Sequence, residues 1–150
     1  MDDAANLADY RLIRRYGHLE TKVELAALEA LLAKCESPIE SKLAEALFVV
    51  LCNEFPDGAV QLSPQYRLGP YRYDFAIILQ GGPLFFIECD GRDFHSSPEQ
   101  IERDHAKGKF AHESGTPCLR YAGSIIHKNP YVIAFEIARC VSYVLGRFLR

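Results

Sequence analysis

Tyr-Arg-Tyr-Asp-Phe-Ala-Ile-Ile (71–78) and Leu-Phe-Phe-Ile-Glu-Cys-Asp-Gly (84–91) decide the reading of this chain. Both are short apolar runs with β-branched and aromatic residues, the composition of largely buried strands. Gly81-Gly82 followed by Pro83 predicts a hairpin turn that lays the two strands side by side. Three acids, Asp74, Glu88 and Asp90, interrupt these strands. Burying an unpaired carboxylate is costly, so they call for a cation, hydrogen bonds or solvent at a cleft. Side chains alternate along a strand, so Glu88 and Asp90 share a face, and strand pairing allows Asp74 to join them. Such a set of oxygen ligands suits a hard divalent cation such as Mg²⁺.

Upstream, Ser37-Pro38-Ile39-Glu40 combines Ser at N-cap, Pro at N1 and Glu at N3, a capping box that starts a helix running through Leu43, Leu47 and Val50 to about Cys52. Before it, Leu25, Leu28, Leu31 and Leu32 recur at helical spacing, with a shorter basic helix around Arg11, Arg14 and Arg15. Residues 59–68 form a first strand, with Pro64 marking a bulge or an edge. Downstream, Ser96-Ser97-Pro98-Glu99 caps a helix that continues to about Ser114, and 116–121 form a fourth strand. A last helix, from about Pro130 to Phe148, carries its apolar face on Val132, Phe135, Ile137, Val141 and Val144. The order α-α-β-β-β-α-β-α predicts an α/β (α+β) fold: a meander and a helical crossover making a mixed four-stranded sheet flanked by helices.

A chain of 150 residues at 49% hydrophobic sustains one compact unit with a proper core. The formal net charge of −3 argues against broad electrostatic adhesion to nucleic acid while leaving room for a local basic stripe. Arg11, Arg14, Arg15, Arg67, Arg72 and Tyr71 suit either a phosphate-tracking face or an ordinary soluble surface. The five cysteines are odd in number and widely spaced, without a zinc pattern, and predict reduced, mostly buried thiols. No secretory h-region follows Met1, and the longest apolar segment, near 130–145, carries Glu136 and Arg139. The expectation is a cytoplasmic protein with no membrane partner.

The ordered set Ser-Pro-Ile-Glu (37–40), Tyr-Arg-Tyr-Asp-Phe (71–75), Ile-Glu-Cys-Asp-Gly-Arg-Asp-Phe-His (87–95), Glu-Arg-Asp-His-Ala-Lys (102–107) and Ser-Gly-Thr-Pro-Cys-Leu-Arg-Tyr (114–121) resembles the PD-(D/E)XK, or restriction-endonuclease-like, superfamily. Within it the chain is most similar to the very-short-patch-repair-like endonuclease group. The resemblance implies a nuclease domain over 37–150 with an N-terminal helical extension over 1–36. It makes Asp74 and Glu88 metal-binding acids and brings Glu40 to the metal shell from the first core helix. Asp90 stands where the superfamily name has lysine, and His95 and Asp104 match recurring polar positions. Lys107 or Arg103 would then supply the positive charge near the scissile phosphate. The implied activity is Mg²⁺- or Mn²⁺-dependent hydrolysis of DNA, with RNA as the other nucleic-acid class. Target recognition would come from this chain, a homodimer or a larger complex.

Phosphodiester hydrolysis needs an activated water, an in-line approach and charge neutralisation on the phosphate, all of which carboxylate-bound Mg²⁺ supplies. Asp74, Glu88 and the carbonyl of Cys89 would hold the ion, with Asp90 as a further ligand. Asp90 or His95 would orient or deprotonate the water. Each residue also has a structural reading. Asp90-Gly91 suits a turn, Asp74 an ion pair with Arg72 or Arg120, Glu40 its capping box, and Asp104 a solvated helix face. The rival function is a catalytically inactive nuclease-fold module that binds nucleic acid or a partner protein.

Overall fold

Ser37 fixes the start of the helix that carries the core. In the structure, a computed structural model that describes residues 22–91 and 97–148, its backbone is extended and its Oγ accepts the Glu40 N–H at 3.2 Å. Pro38 opens the helix, where its missing N–H costs nothing. This helix, α2 (Pro38–Glu54), follows α1 (Lys22–Ala33). Then come β1 (Gln61–Leu68), β2 (Tyr71–Leu79), β3 (Gly82–Asp90), α3 (Pro98–Glu113), β4 (Cys118–Ala122), α4 (Gly123–Lys128) and α5 (Pro130–Phe148). A second Ser-Pro start recurs at α3, where Ser97 Oγ accepts the Gln100 N–H at 3.1 Å. The expected shorter helix around Arg11, Arg14 and Arg15 lies outside the described residues.

The strands lie in chain order, β1-β2-β3-β4. The first three form an antiparallel meander, and β4 joins β3 in parallel after the α3 crossover. The mixed four-stranded sheet with flanking helices follows the sequence reading. The β2–β3 turn is tighter than expected: Leu79 pairs with Gly82, so Gln80 and Gly81 make the loop and β3 already begins at Gly82. Gly82 has φ 118°, a value that only glycine adopts at ease.

One sheet face carries the main core, in which Phe75, Ile77 and Ile87 pack with Leu43, Leu47 and Val50 of α2 and Ile137 and Val141 of α5. The other face carries a much smaller cluster, Tyr73, Ala76 and Phe86, under Ala111 of α3. Tyr73 and Phe75 are two apart yet belong to opposite faces, so β2 turns over at Asp74. The β1–β2 ladder breaks at the same level. Pro64 pairs with Phe75 and Tyr66 with Tyr73, while Gln65 between them takes φ 52°. The irregularity expected at Pro64, now on an edge strand, thus falls on its neighbour.

Three expectations are corrected. Val132 is 51% exposed, because the buried stripe of α5 runs through Tyr131, Ile133, Ala134, Ile137, Ala138 and Val141. Two of those positions are alanines, which allow close helix approach but add little to an apolar pattern. Leu25 is 45% exposed, since α1 reaches the core only from Leu28 onward. The cysteines are all free, but none is fully buried, and Cys52 and Cys140 are exposed on helix faces turned from the core. The short helix α4 was not anticipated; six residues are too few to show a periodicity.

Candidate functional site

The site begins where β2 and β3 part. Phe75 and Ile87 are the last paired residues, and one further step would set Asp74 opposite Glu88. There the Asp74 side chain takes over from the backbone ladder: its Oδ2 accepts the Cys89 N–H at 2.7 Å. A short bond from an amide to a carboxylate is the stronger, charge-assisted kind. It fixes Asp74 at the turnover point of β2 and keeps the gap between the strands open.

Glu88 follows on β3, on the face of Phe86, and is only 7% exposed. Its carboxyl lies beside that of Asp74, and both line the same cleft. Burial, and then the neighbouring Glu88 charge, push the Asp74 carboxyl up to about 7, against the lowering pull of the Cys89 amide and Lys107. Two adjoining carboxyls therefore favour a shared proton or an added cation over two bare charges.

One cation is already present. The Lys107 ammonium forms an ion pair with Glu88 Oε1, a buried oxygen otherwise without a hydrogen bond. Lys107 comes from the middle of α3 and is held from the sheet. The Tyr73 hydroxyl donates to the Lys107 carbonyl at 2.9 Å, and the ammonium lies 4.8 Å from the Tyr73 ring centroid. The ring in turn stacks on Phe86 at 4.1 Å. Burial pushes the Tyr73 hydroxyl up to about 12, so it stays a donor.

Glu40 arrives from the other layer, at the first turn of α2, and is 7% exposed. Its Oε2 accepts the Glu36 N–H at 3.0 Å and the Gln65 Nε2 at 2.9 Å. Burial foremost, with the Asp74 and Glu36 charges adding, raises its carboxyl above the usual range, against bonds from Glu36 and Ser37. Its capping duty and its place beside Asp74 thus coexist. Gln65 reaches it from the strained position of β1.

Asp90 is the last residue of β3, in register with Ala122, so it ends a strand rather than forming a turn. Gly123 packs against that end: a Cβ there would meet the Asp90 carbonyl oxygen at 3.1 Å and the Gly91 Cα at 3.3 Å. The ion pairs considered for Asp74 go elsewhere. Arg72 pairs with Glu36 at 2.9 Å and Arg120 with Asp104 at 3.3 Å. Arg120 sits beside Glu88 in the parallel register, so both project from one sheet face. Asp104 is bound on its other side by Gln100 Nε2 at 3.2 Å, which disposes of a merely solvated Asp104.

Together Glu40, Asp74, Glu88, Asp90, Gln100, Asp104, Lys107 and Arg120 line a polar cleft of about 310 Å³. Arg103 instead bonds Gln100 Oε1 at 3.3 Å on the exposed side of α3. His95 lies outside the described residues. Sequence reasoning missed Gln65, Tyr73 and Gln100. Pro64 signalled the first; an aromatic beside a strand acid and a glutamine four residues before Asp104 were the only signals for the others.

Among the described residues, no three His, Cys, Asp or Glu side chains converge as a metal-holding group. Mg²⁺ does not require three: it is commonly held by one or two carboxylates, with waters and substrate oxygens completing its octahedron. Asp74 and Glu88 fit that pattern, being adjoining hard oxygen donors whose mutual repulsion a divalent ion would relieve. The Cys89 carbonyl and Asp90, at the same strand end, are the candidates for further donors. No family model, curated protein or solved structure gives a significant match to the chain. Among the described residues, no helix is long and apolar enough to cross a membrane.

Proposed function

We propose that the protein is a metal-dependent nuclease with a restriction-endonuclease-like core, hydrolysing phosphodiester bonds in DNA. The observation that carries this reading is the Asp74–Glu88 pair, in a cleft that also receives a lysine from α3. Mg²⁺ or Mn²⁺ held by that pair, with the Cys89 carbonyl and Asp90 as further donors, would neutralise phosphate charge and make a bound water more acidic. Glu40, its carboxyl raised by burial and by the neighbouring Asp74 charge, adds a third carboxyl beside the pair. Lys107 brings a positive charge to the acidic pair from the helix, which answers the lack of a lysine at position 90. Asp90, at the open strand end, is the residue proposed to orient the attacking water or take its proton. Five free thiols favour a reducing, cytoplasmic setting.

The test is incubation with plasmid, single-stranded and mismatched DNA in Mg²⁺ or Mn²⁺. Cleavage that disappears in Asp74→Ala and Glu88→Ala is expected; no cleavage, or cleavage that survives both substitutions, refutes the reading. The Lys107–Glu88 ion pair favours a second reading, in which the lysine permanently takes the place of a metal and the module binds without cutting. Calorimetry with Mg²⁺ separates the two. Binding lost in Glu88→Gln supports the nuclease, and no binding supports the inert module.

A further inference from the structure

Asp104 and Lys107 lie three apart on α3 and therefore face the same way. Below them Glu88 and Arg120 are direct partners on β3 and β4. The helix pair meets the strand pair with charges alternating, Lys107 on Glu88 and Asp104 on Arg120. The two contacts differ in what they leave exposed. Glu88 is nearly buried beneath Lys107, whereas the Arg120 side chain is 38% exposed and lines the open cleft. It meets Asp104 through a terminal nitrogen at 3.3 Å. A guanidinium offers five donors in a planar fork, so this contact orients the group without exhausting it. Five carboxylates and two cations line the cleft, so an approaching phosphate needs a cation not already committed to a buried carboxylate.

We propose that Arg120 binds a phosphate oxygen of the nucleic-acid strand, with Asp104 as its positioning residue. This rests on the nuclease reading for the site but not on cleavage itself. Anisotropy of a labelled oligonucleotide in Ca²⁺ over a salt series, read beside the KM and kcat of cleavage in Mg²⁺, tests it. Arg120→Gln should weaken oligonucleotide binding by about tenfold or more and reduce the slope of log K against log[salt] by about one. Arg120→Lys should restore the slope with only part of the affinity, because it keeps the charge and loses the fork. Asp104→Asn should raise KM by a smaller factor and leave the salt slope unchanged. If Arg120→Gln leaves affinity and slope as in the wild type, the proposal fails whether or not the protein cuts. If the wild type binds through Arg120 but never cuts, the nuclease reading fails and the phosphate site stands. No binding by the wild type refutes both.

Discussion

Replacing Asp74 by Asn should make the metal-free protein more stable near neutral pH. The Asp74 carboxyl, raised from an ordinary 3.8 to about 7, holds its proton more tightly in the folded state than in the unfolded one. Its contribution to stability is therefore fully present below the unfolded value and lost as pH rises through the folded one. At full weight the difference corresponds to about 4 kcal/mol. Asp74 is only half-buried, and solvent screening reduces this to about 2 kcal/mol. Asn keeps an acceptor for the Cys89 N–H and gains donors for Glu88, so it sheds the repulsion without orphaning its neighbours. For a chain of 150 residues that gain amounts to roughly 4–8 °C in melting temperature. Thermal or urea denaturation without divalent metal, at pH ~8 and pH ~4, should show the gain at the higher pH and little at the lower. If D74N melts at or below the wild type at the higher pH, or gains equally at both, the account of the pair is wrong.

Lys107→Met removes the cation from a buried carboxylate and should destabilise the metal-free protein by about 3 kcal/mol, a loss that Mg²⁺ should partly restore in the same denaturation assay. Gly123→Ala sets a Cβ against the backbone of Asp90 and Gly91, neither of which has a flexible end to move aside. It should cost about 1–3 kcal/mol and weaken Mg²⁺ binding by calorimetry, because the donor end of β3 is displaced. Tyr73→Phe removes the hydroxyl bond to Lys107 and should cost about 1 kcal/mol, with amide exchange rising in α3 and unchanged in α2.

The parts of the fold legible in the sequence were those written locally. The Ser-Pro starts at Ser37 and Ser97 and the glycine turn after Leu79 depend on neighbours a few residues away, and they fall where expected or within two residues. Asp74 and Glu88 were legible because acids in apolar strands violate a local rule. What the chain hid depends on registers between distant elements. Arg120 lies beside Glu88 only through the β3–β4 pairing, and Asp104 reaches it only through the phase of α3 over the sheet. The turnover of β2 was hidden for the same reason: Tyr-Arg-Tyr-Asp-Phe alternates smoothly as text, and only the packing shows Tyr73 and Phe75 on opposite sides. The buried stripe of α5 was misphased because alanine contributes geometry rather than hydrophobicity.

The two faces of the sheet are secured very unequally. Glu40 belongs to the layer over the large core, whereas Lys107 and Asp104 ride on a helix anchored mainly by Tyr73, Ala76, Phe86 and Ala111. A region held by so few buried contacts opens at a lower free energy than the whole molecule. The helix that carries both charged arms is thus expected to exchange its amides faster than α2, α5 and the sheet. Opening of that helix would take Lys107 and Asp104 out of the cleft before the rest of the molecule unfolds, so amide exchange in α3, rather than the melting temperature alone, reports the integrity of the site.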